Sequence, residues 1–216
     1  MRISICSLYT MSAGEETGVT FECVSDDGFH SSKSTFVISS KQYLTLGLSR
    51  GDCSAELYDT VAYSAEIWSA VRRGVSILGY GACSENALRS KLVMKGFSKE
   101  VASDAVEYLV GMGLVRPIED ALCEARKLAS RLWGKRRIVS GLYEKGYSAE
   151  AVGFALASLE DEGVDYIENC CELIRKRYSA SIDDPSERRK AFSALARYGY
   201  SLSEIKESYF SFKKEK

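Results

Sequence analysis

Leu88-x3-Leu92-x3-Gly96-Phe97-Ser98 is followed by Ile138-x3-Leu142-x3-Gly146-Tyr147-Ser148 and by Ala191-x3-Leu195-x3-Gly199-Tyr200-Ser201. The same glycine, aromatic and serine recur three times after the same pair of apolar residues four apart. The glycines are separated by 50 and 53 residues, a period that indicates stacked supersecondary units. Each letter of the triplet has a physical reason. Glycine enters the left-handed conformation that closes a helix without a Cβ penalty. The aromatic that follows is placed to fold back on the last helical turn, and the serine is a preferred N-cap for the next helix. Glu100 and Glu150, two residues beyond Ser98 and Ser148, suit the positive end of that helix. The joints Gly96-Phe97-Ser98, Gly146-Tyr147-Ser148 and Gly199-Tyr200-Ser201 therefore predict helix, tight turn, helix.

The flanking segments agree. After Val101, apolar residues recur at Ala105, Tyr108, Leu109 and Met112 until Gly111 and Gly113 close a helix; Val152, Ala155, Leu156 and Leu159 repeat this up to Gly163. Pro117 suits the first position of a helix, with Glu119 and Asp120 in its first turn; Pro185 follows the acidic cap Asp183-Asp184. Each repeat then holds three helices, and none could bury its apolar stripe without a stacked neighbour. The expected fold class is mainly α: tandem three-helix repeats in an elongated, curved array with a small N-terminal β-hairpin segment. The expected divisions are an N-terminal hairpin and loop segment over 1–53, then repeats over 54–116, 117–163 and 164–216. In the first segment Val19, Phe21 and Cys23 alternate with polar residues up to Asp26-Asp27-Gly28, a turn signal, before Thr35-Phe36-Val37-Ile38. A short helix over Gln42–Leu46 and a loop from Gly47 to Asp52 lead into the repeats.

Composition excludes several classes. The 216 residues include 29 Lys and Arg against 30 Asp and Glu, so a uniformly basic nucleic-acid coat is ruled out. One histidine, His30, leaves no mechanism that needs two imidazoles. The two prolines favour long uninterrupted helices. The seven cysteines are scattered without a CxxC pair and read as small hydrophobes of a reducing, cytoplasmic environment, with no metal site. No run approaches a membrane span, and the first residues make a poor signal peptide. A P-loop and a nucleophile beside a base are both missing, so the reading is non-enzymatic, with no cofactor and no catalytic residue.

The balanced charge conceals blocks. Arg126, Lys127, Arg131, Lys135, Arg136 and Arg137 lie between residues 126 and 143 with no acid among them, whereas Glu150, Glu160, Asp161, Glu162, Asp165 and Glu168 follow with no base. Solvated helix faces with local ion pairs account for much of such patterning. Clustering at one helix junction, beside Trp133 and Tyr143, makes the stretch a candidate binding surface for phosphate or an acidic protein groove. Trp133 itself ends an apolar stripe and reads as core.

Ser84-Glu85-x2-Leu88-x2-Lys91-Leu92-x2-Lys95-Gly96-Phe97-Ser98, with Trp133-Gly134-Lys135-Arg136-Arg137-Ile138-x3-Leu142-x2-Lys145-Gly146-Tyr147, resembles the RecX regulatory proteins, which modulate the RecA recombinase. The likeness runs over about residues 16 to 210 and includes the Gly47-Leu48-Ser49-Arg50-Gly51-Asp52 loop. It departs at Glu119-Asp120-Ala121-Leu122-Cys123, where the family starts its second repeat with Asp-Asp-x2-Phe-Ala, and at Tyr198, where the joint carries lysine in the family. The resemblance implies a monomeric protein that lies in the groove of the RecA–single-stranded-DNA filament and opposes filament growth, ATPase and strand exchange. Single-stranded DNA would be touched weakly and without sequence preference. Arg126, Lys127, Arg131, Lys135, Arg136, Arg137 and Lys145, with Arg72 and Arg73 in the first repeat, are the candidate contact residues for RecA or DNA. The alternative is a helical DNA-binding module that works without RecA.

Overall fold

In the computed structural model, residues 2–11, 15–26, 29–180 and 182–215 are described. Strands β1 (Arg2–Met11), β2 (Glu16–Val24) and β3 (Ser31–Ser39) precede α1 (Ser40–Leu46), β4 (Gly51–Cys53) and α2 (Ala55–Leu78). There follow α3 (Glu85–Met94), α4 (Lys99–Gly111), α5 (Pro117–Ala129), α6 (Lys135–Glu144), α7 (Ala149–Asp161), α8 (Tyr166–Arg177), α9 (Pro185–Arg197) and α10 (Leu202–Glu215). The chain divides into two compact units, Met1–Gly81 with Leu88–Leu114, and Ala82–Ala87 with Val115–Lys216.

The expected hairpin is β2 with β3, antiparallel from Glu16 opposite Ser39 to Val24 opposite Ser31. Its Asp27-Gly28 turn lies outside the described residues. The hairpin is only half of a four-stranded sheet of order β3-β2-β1-β4. Residues 2–11, read from sequence only as a poor signal peptide, form a strand along β2, with the register shifting between Ile5 and Ser7. Gly51 and Asp52, read as loop, pair with Ile5 and Ser4. Alternation explains the sheet: Ile3, Ile5, Val19, Phe21 and Ile38 turn to one face and are buried with Leu48 and Val61. The rings of Phe21, Phe36 and Tyr58 meet edge to face there at 5.0–5.8 Å. Ser39 and Gln42 form a capping box on α1, and the Ser54 side chain accepts from the Leu57 amide to start α2.

In the second unit the apolar faces of six helices, α5 to α10, enclose one core. Leu128, Ile138, Leu142, Leu159, Ile174, Leu195 and Ile205 are fully or almost fully buried in it. The three joints are built alike. The amides of Gly96, Gly146 and Gly199 donate to the carbonyls of Val93, Tyr143 and Ala196 at 2.8–3.0 Å. The next amides, of Phe97, Tyr147 and Tyr200, reach back to Leu92, Leu142 and Leu195 at 3.1–3.4 Å. This is the two-bond Schellman closure, and it requires the positive φ that all three glycines adopt (+98°, +81°, +94°). The serines then cap as expected: Ser98 accepts from Val101, Ser148 from Ala151 and Ser201 from Glu204. Glu204 returns the bond by accepting from the Ser201 amide.

The same closure ends α5 without glycine. Leu132 donates to Ala129 and Trp133 to Leu128, with Leu132 at φ 58°. A left-handed leucine costs on the order of 1–2 kcal/mol. Packing of its partly buried side chain against the core offsets that cost. Both prolines open helices, α5 and α9, and Asp184 caps the latter by accepting from the Ser186 and Glu187 amides.

The described cysteines are free thiols: Cys123 is exposed, while Cys170 and Cys171 are buried. Burial pushes the Cys170 thiol up to about 11, and the Cys171 thiol donates to the Ser208 carbonyl. Among the described residues no helix is long and apolar enough to cross a membrane.

Candidate functional site

The basic stretch begins on α5, crosses the Leu132 turn and continues along α6. The start of α6 is fixed by backbone. The Gly134 amide donates to the Tyr198 carbonyl at 2.8 Å and the Arg136 amide to the Gly199 carbonyl at 3.2 Å. The Tyr200 hydroxyl donates to the Leu132 carbonyl at 2.9 Å. Two glycines make this approach possible, since a Cβ on Gly134 would stand 2.5 Å from the Gly199 carbonyl carbon. The start of α3 meets the second joint in a related way. The Ser84 hydroxyl donates to the Lys145 carbonyl at 2.6 Å while accepting from the Ala87 amide. Asn86 donates to the Gly146 carbonyl at 3.1 Å. So the start of one repeat's middle helix is bonded to the glycine joint of the next, twice.

The candidate cations divide by what answers them. Arg126 forks onto Glu162 of the α7 end, with Nε donating to Oε2 at 2.9 Å. That contact raises the guanidinium pKa and holds the Glu162 carboxyl below its ordinary value. Lys135 reaches Glu160 at 2.6 Å. Lys127 and Lys145 share Glu124 at 3.8 and 3.1 Å. Arg137 lies over the Trp133 ring, 3.9 Å from its centre, and faces Tyr198 at 5.2 Å. Arg131 and Arg136 are exposed, and among the described residues no ion pair engages either. In the first unit Arg72 pairs at 3.3 Å with Glu16, a carboxylate that also accepts from Trp68 Nε1 at 2.8 Å. Arg73 beside it is exposed without an ion pair among the described residues.

Sequence reasoning thus located the cations and missed their partners. Glu160 and Glu162 were visible as an acidic block, but their pairing depends on α5 and α6 lying against α7. Trp133 is partly buried on the core, as its place in the apolar stripe suggested. Tyr198, the departure from lysine, has a visible role: it stands beside both Arg137 and Arg177, and Arg177 donates to its hydroxyl at 2.6 Å. Arg189, Lys190 and Arg197 with Ser193 line one cationic face of α9, outside the predicted set. The Tyr147 hydroxyl, beneath the second joint, is pushed up to about 12 by burial and nearby carboxylates and stays protonated near neutrality. Among the described residues no cluster of three or more His, Cys, Asp or Glu side chains could hold a metal ion.

This arrangement offers unpaired guanidinium groups on a rigid helical frame, which suits phosphate or carboxylate recognition. No protein-family model matches the chain. Regulatory protein RecX of Xanthomonas campestris pv. campestris (strain B100) is 34% identical over 137 residues, covering 63% of this chain and 83% of the relative. The regulatory protein RecX of Xanthomonas axonopodis pv. citri (strain 306) is 31% identical over the same length. A crystal structure of regulatory protein RecX superposes with a TM-score of 0.74, covering 98% of this chain and 99% of the other. RecX from Lactobacillus salivarius gives 0.61 over 68% of this chain and 97% of the other. Both structures are 18% identical to this chain, so they bear on its fold. With helical repeats, glycine joints and relatives above 30% identity in agreement, the chain belongs to the RecX family of regulatory proteins.

Proposed function

We propose that this protein regulates the RecA recombinase by binding, without catalysing a reaction. It engages the RecA–single-stranded-DNA filament in its groove and opposes filament growth, ATPase and strand exchange, acting as a cytoplasmic monomer. The observation that carries the reading is membership of the RecX family. The unpaired Arg131 and Arg136 on the second repeat's basic stretch support it. Such an effect requires unequal affinity for the assembled and free states of RecA. Arg126, Lys135 and Lys145, already engaged with carboxylates, serve mainly to hold the surface, and Arg72 is tied to Glu16 in the same way. Direct contact then falls to Arg131, Arg136 and Arg73.

The test is RecA ATPase on single-stranded DNA with increasing protein. Suppression at or below equimolar ratio is expected. Unchanged ATPase and unchanged strand exchange across that range would sink the proposal. R131E with R136E should weaken inhibition while leaving helicity unaltered by circular dichroism.

The cationic face of α9 favours a second reading, DNA binding without RecA. Tight, sequence-specific binding in the absence of RecA would support it. Weak binding that falls linearly in log affinity against log salt fits an accessory contact under the first reading.

A further inference from the structure

The three glycine joints share a sequence and a backbone, but among the described residues only two are occupied. Around Gly146 a Cβ would meet the Ser84 hydroxyl at 2.9 Å and the Asn86 Cβ at 3.2 Å, and around Gly199 the backbone of Gly134 and Arg137 fills the space. Around Gly96 a Cβ would meet nothing within 4 Å. The aromatic residues follow suit: Tyr147 and Tyr200 are buried at 7% and 1% exposure, whereas Phe97 is only partly covered. The carbonyls of Lys145, Gly146, Tyr198 and Gly199 each accept a hydrogen bond from an incoming helix start. Among the described residues the corresponding carbonyls, of Lys95 and Gly96, accept none. Lys95 and Phe97 instead line an open cleft with Ser69, Arg72, Arg73 and Ser76 of α2.

We infer that the Gly96 joint is a docking socket for the first turn of a helix in a partner protein, capped by serine or glycine and acidic within that turn. The two filled joints define what fits. Each receives a helix N-terminus that brings hydroxyl, amide or backbone N–H donors to the last carbonyls of the receiving helix. The positive end of the incoming helix dipole then meets the negative end of the receiving one. The native occupants come in two charge types, Ser84-Glu85-Asn86 and Gly134-Lys135-Arg136-Arg137. Lys95 and Arg73 beside the open socket would repel the second type and suit the first. Neither Lys95 nor Arg73 has an ion pair among the described residues, so both are available to carboxylates in the partner's first turn.

A second copy of this chain is a poor occupant. Only middle-helix starts fill joints in this chain, and the two with donors to offer, at Ser84 and Gly134, are already bonded to joints of their own chain. The remaining middle-helix start, Asp184-Pro185, presents a carboxylate that itself accepts two amides and a proline with no N–H to donate. The occupant is therefore a different protein.

The experiment titrates the full-length, 15N-labelled chain with an acetylated peptide copying residues 84–94 (SENALRSKLVM) and, separately, one copying residues 134–144 (GKRRIVSGLYE). The first peptide should shift the amide signals of Phe97, Ser98, Ser69 and Ser76, and bind about ten-fold more tightly than the second. In the R73E/K95E variant the preference should reverse, with the second peptide now binding more tightly. No shift with either peptide, equal binding of both, or shifts confined to Gly146–Ser148 would overturn the assignment. RecA is not present in this measurement. A failure of the proposed RecA function and a failure of the socket are therefore read separately.

Discussion

The Gly199 joint and the Gly96 joint are spelled almost identically and live in different worlds. At Gly199 the backbone of α6 presses in so closely that an added Cβ would land on the Arg137 nitrogen and 2.9 Å from the Gly134 carbonyl oxygen. At Gly96 the same conformation faces open space. Gly199 therefore serves two purposes, backbone conformation and close approach, whereas Gly96 serves conformation alone within this chain. A shared motif fixes local geometry; the neighbours decide how much depends on it.

Alanine at each joint separates the two purposes. Gly199→Ala combines left-handed strain of about 1–2 kcal/mol with an overpacking cost of about 1–3 kcal/mol against backbone that cannot swing aside. Urea denaturation should show a loss of about 3 kcal/mol. Gly146→Ala meets the Ser84 hydroxyl most closely, which can rotate, and the Asn86 Cβ at 3.2 Å, so about 2 kcal/mol is expected, with the Ser84–Lys145 bond weakened. Gly96→Ala should cost only the strain, at the low end of about 1–2 kcal/mol. If all three lost the same stability, close packing at Gly199 would not be what distinguishes the joints.

The smallest effect concerns charge. Glu162 has its carboxyl held below the ordinary value of 4.5 by Arg126, first through their hydrogen bond. The contact therefore adds stability above that ordinary value and loses it as pH falls through the lower, folded-state value. The pair is exposed, so the change is slight. Urea midpoints measured down an acid series should fall less for E162Q than for the parent protein. Identical pH profiles would remove Glu162 from the account.

The joints were legible because their chemistry is local: a C′ glycine, an N-cap serine and an apolar pair four apart lie within eleven residues. The prolines that open α5 and α9 were legible for the same reason. The sheet was only half legible. Val19, Phe21 and Cys23 alternate with polar residues and Phe36-Val37-Ile38 is an apolar run, but β4 is three residues long and pairs with β1 across about fifty positions. No local signal specifies such a pairing. The site shows the same boundary. The cationic run was plain in the letters, whereas Lys127 and Lys145 meeting on Glu124, or Arg72 held by Glu16, depends on which helices and strands touch. Tyr198 looked like a lost lysine because its stacking partners, Arg137 and Arg177, are distant in sequence.

The adjacent cysteines of α8 equip the molecule with its own clock. Only the thiolate reacts with alkylating reagents, and the Cys170 thiol is both enclosed and held near 11. Exposed Cys123 will be consumed first, in the native protein, while the buried pair waits for the helices around it to part. The rate at which Cys170 and Cys171 become labelled thus reports opening of the second unit's core, without any engineered cysteine.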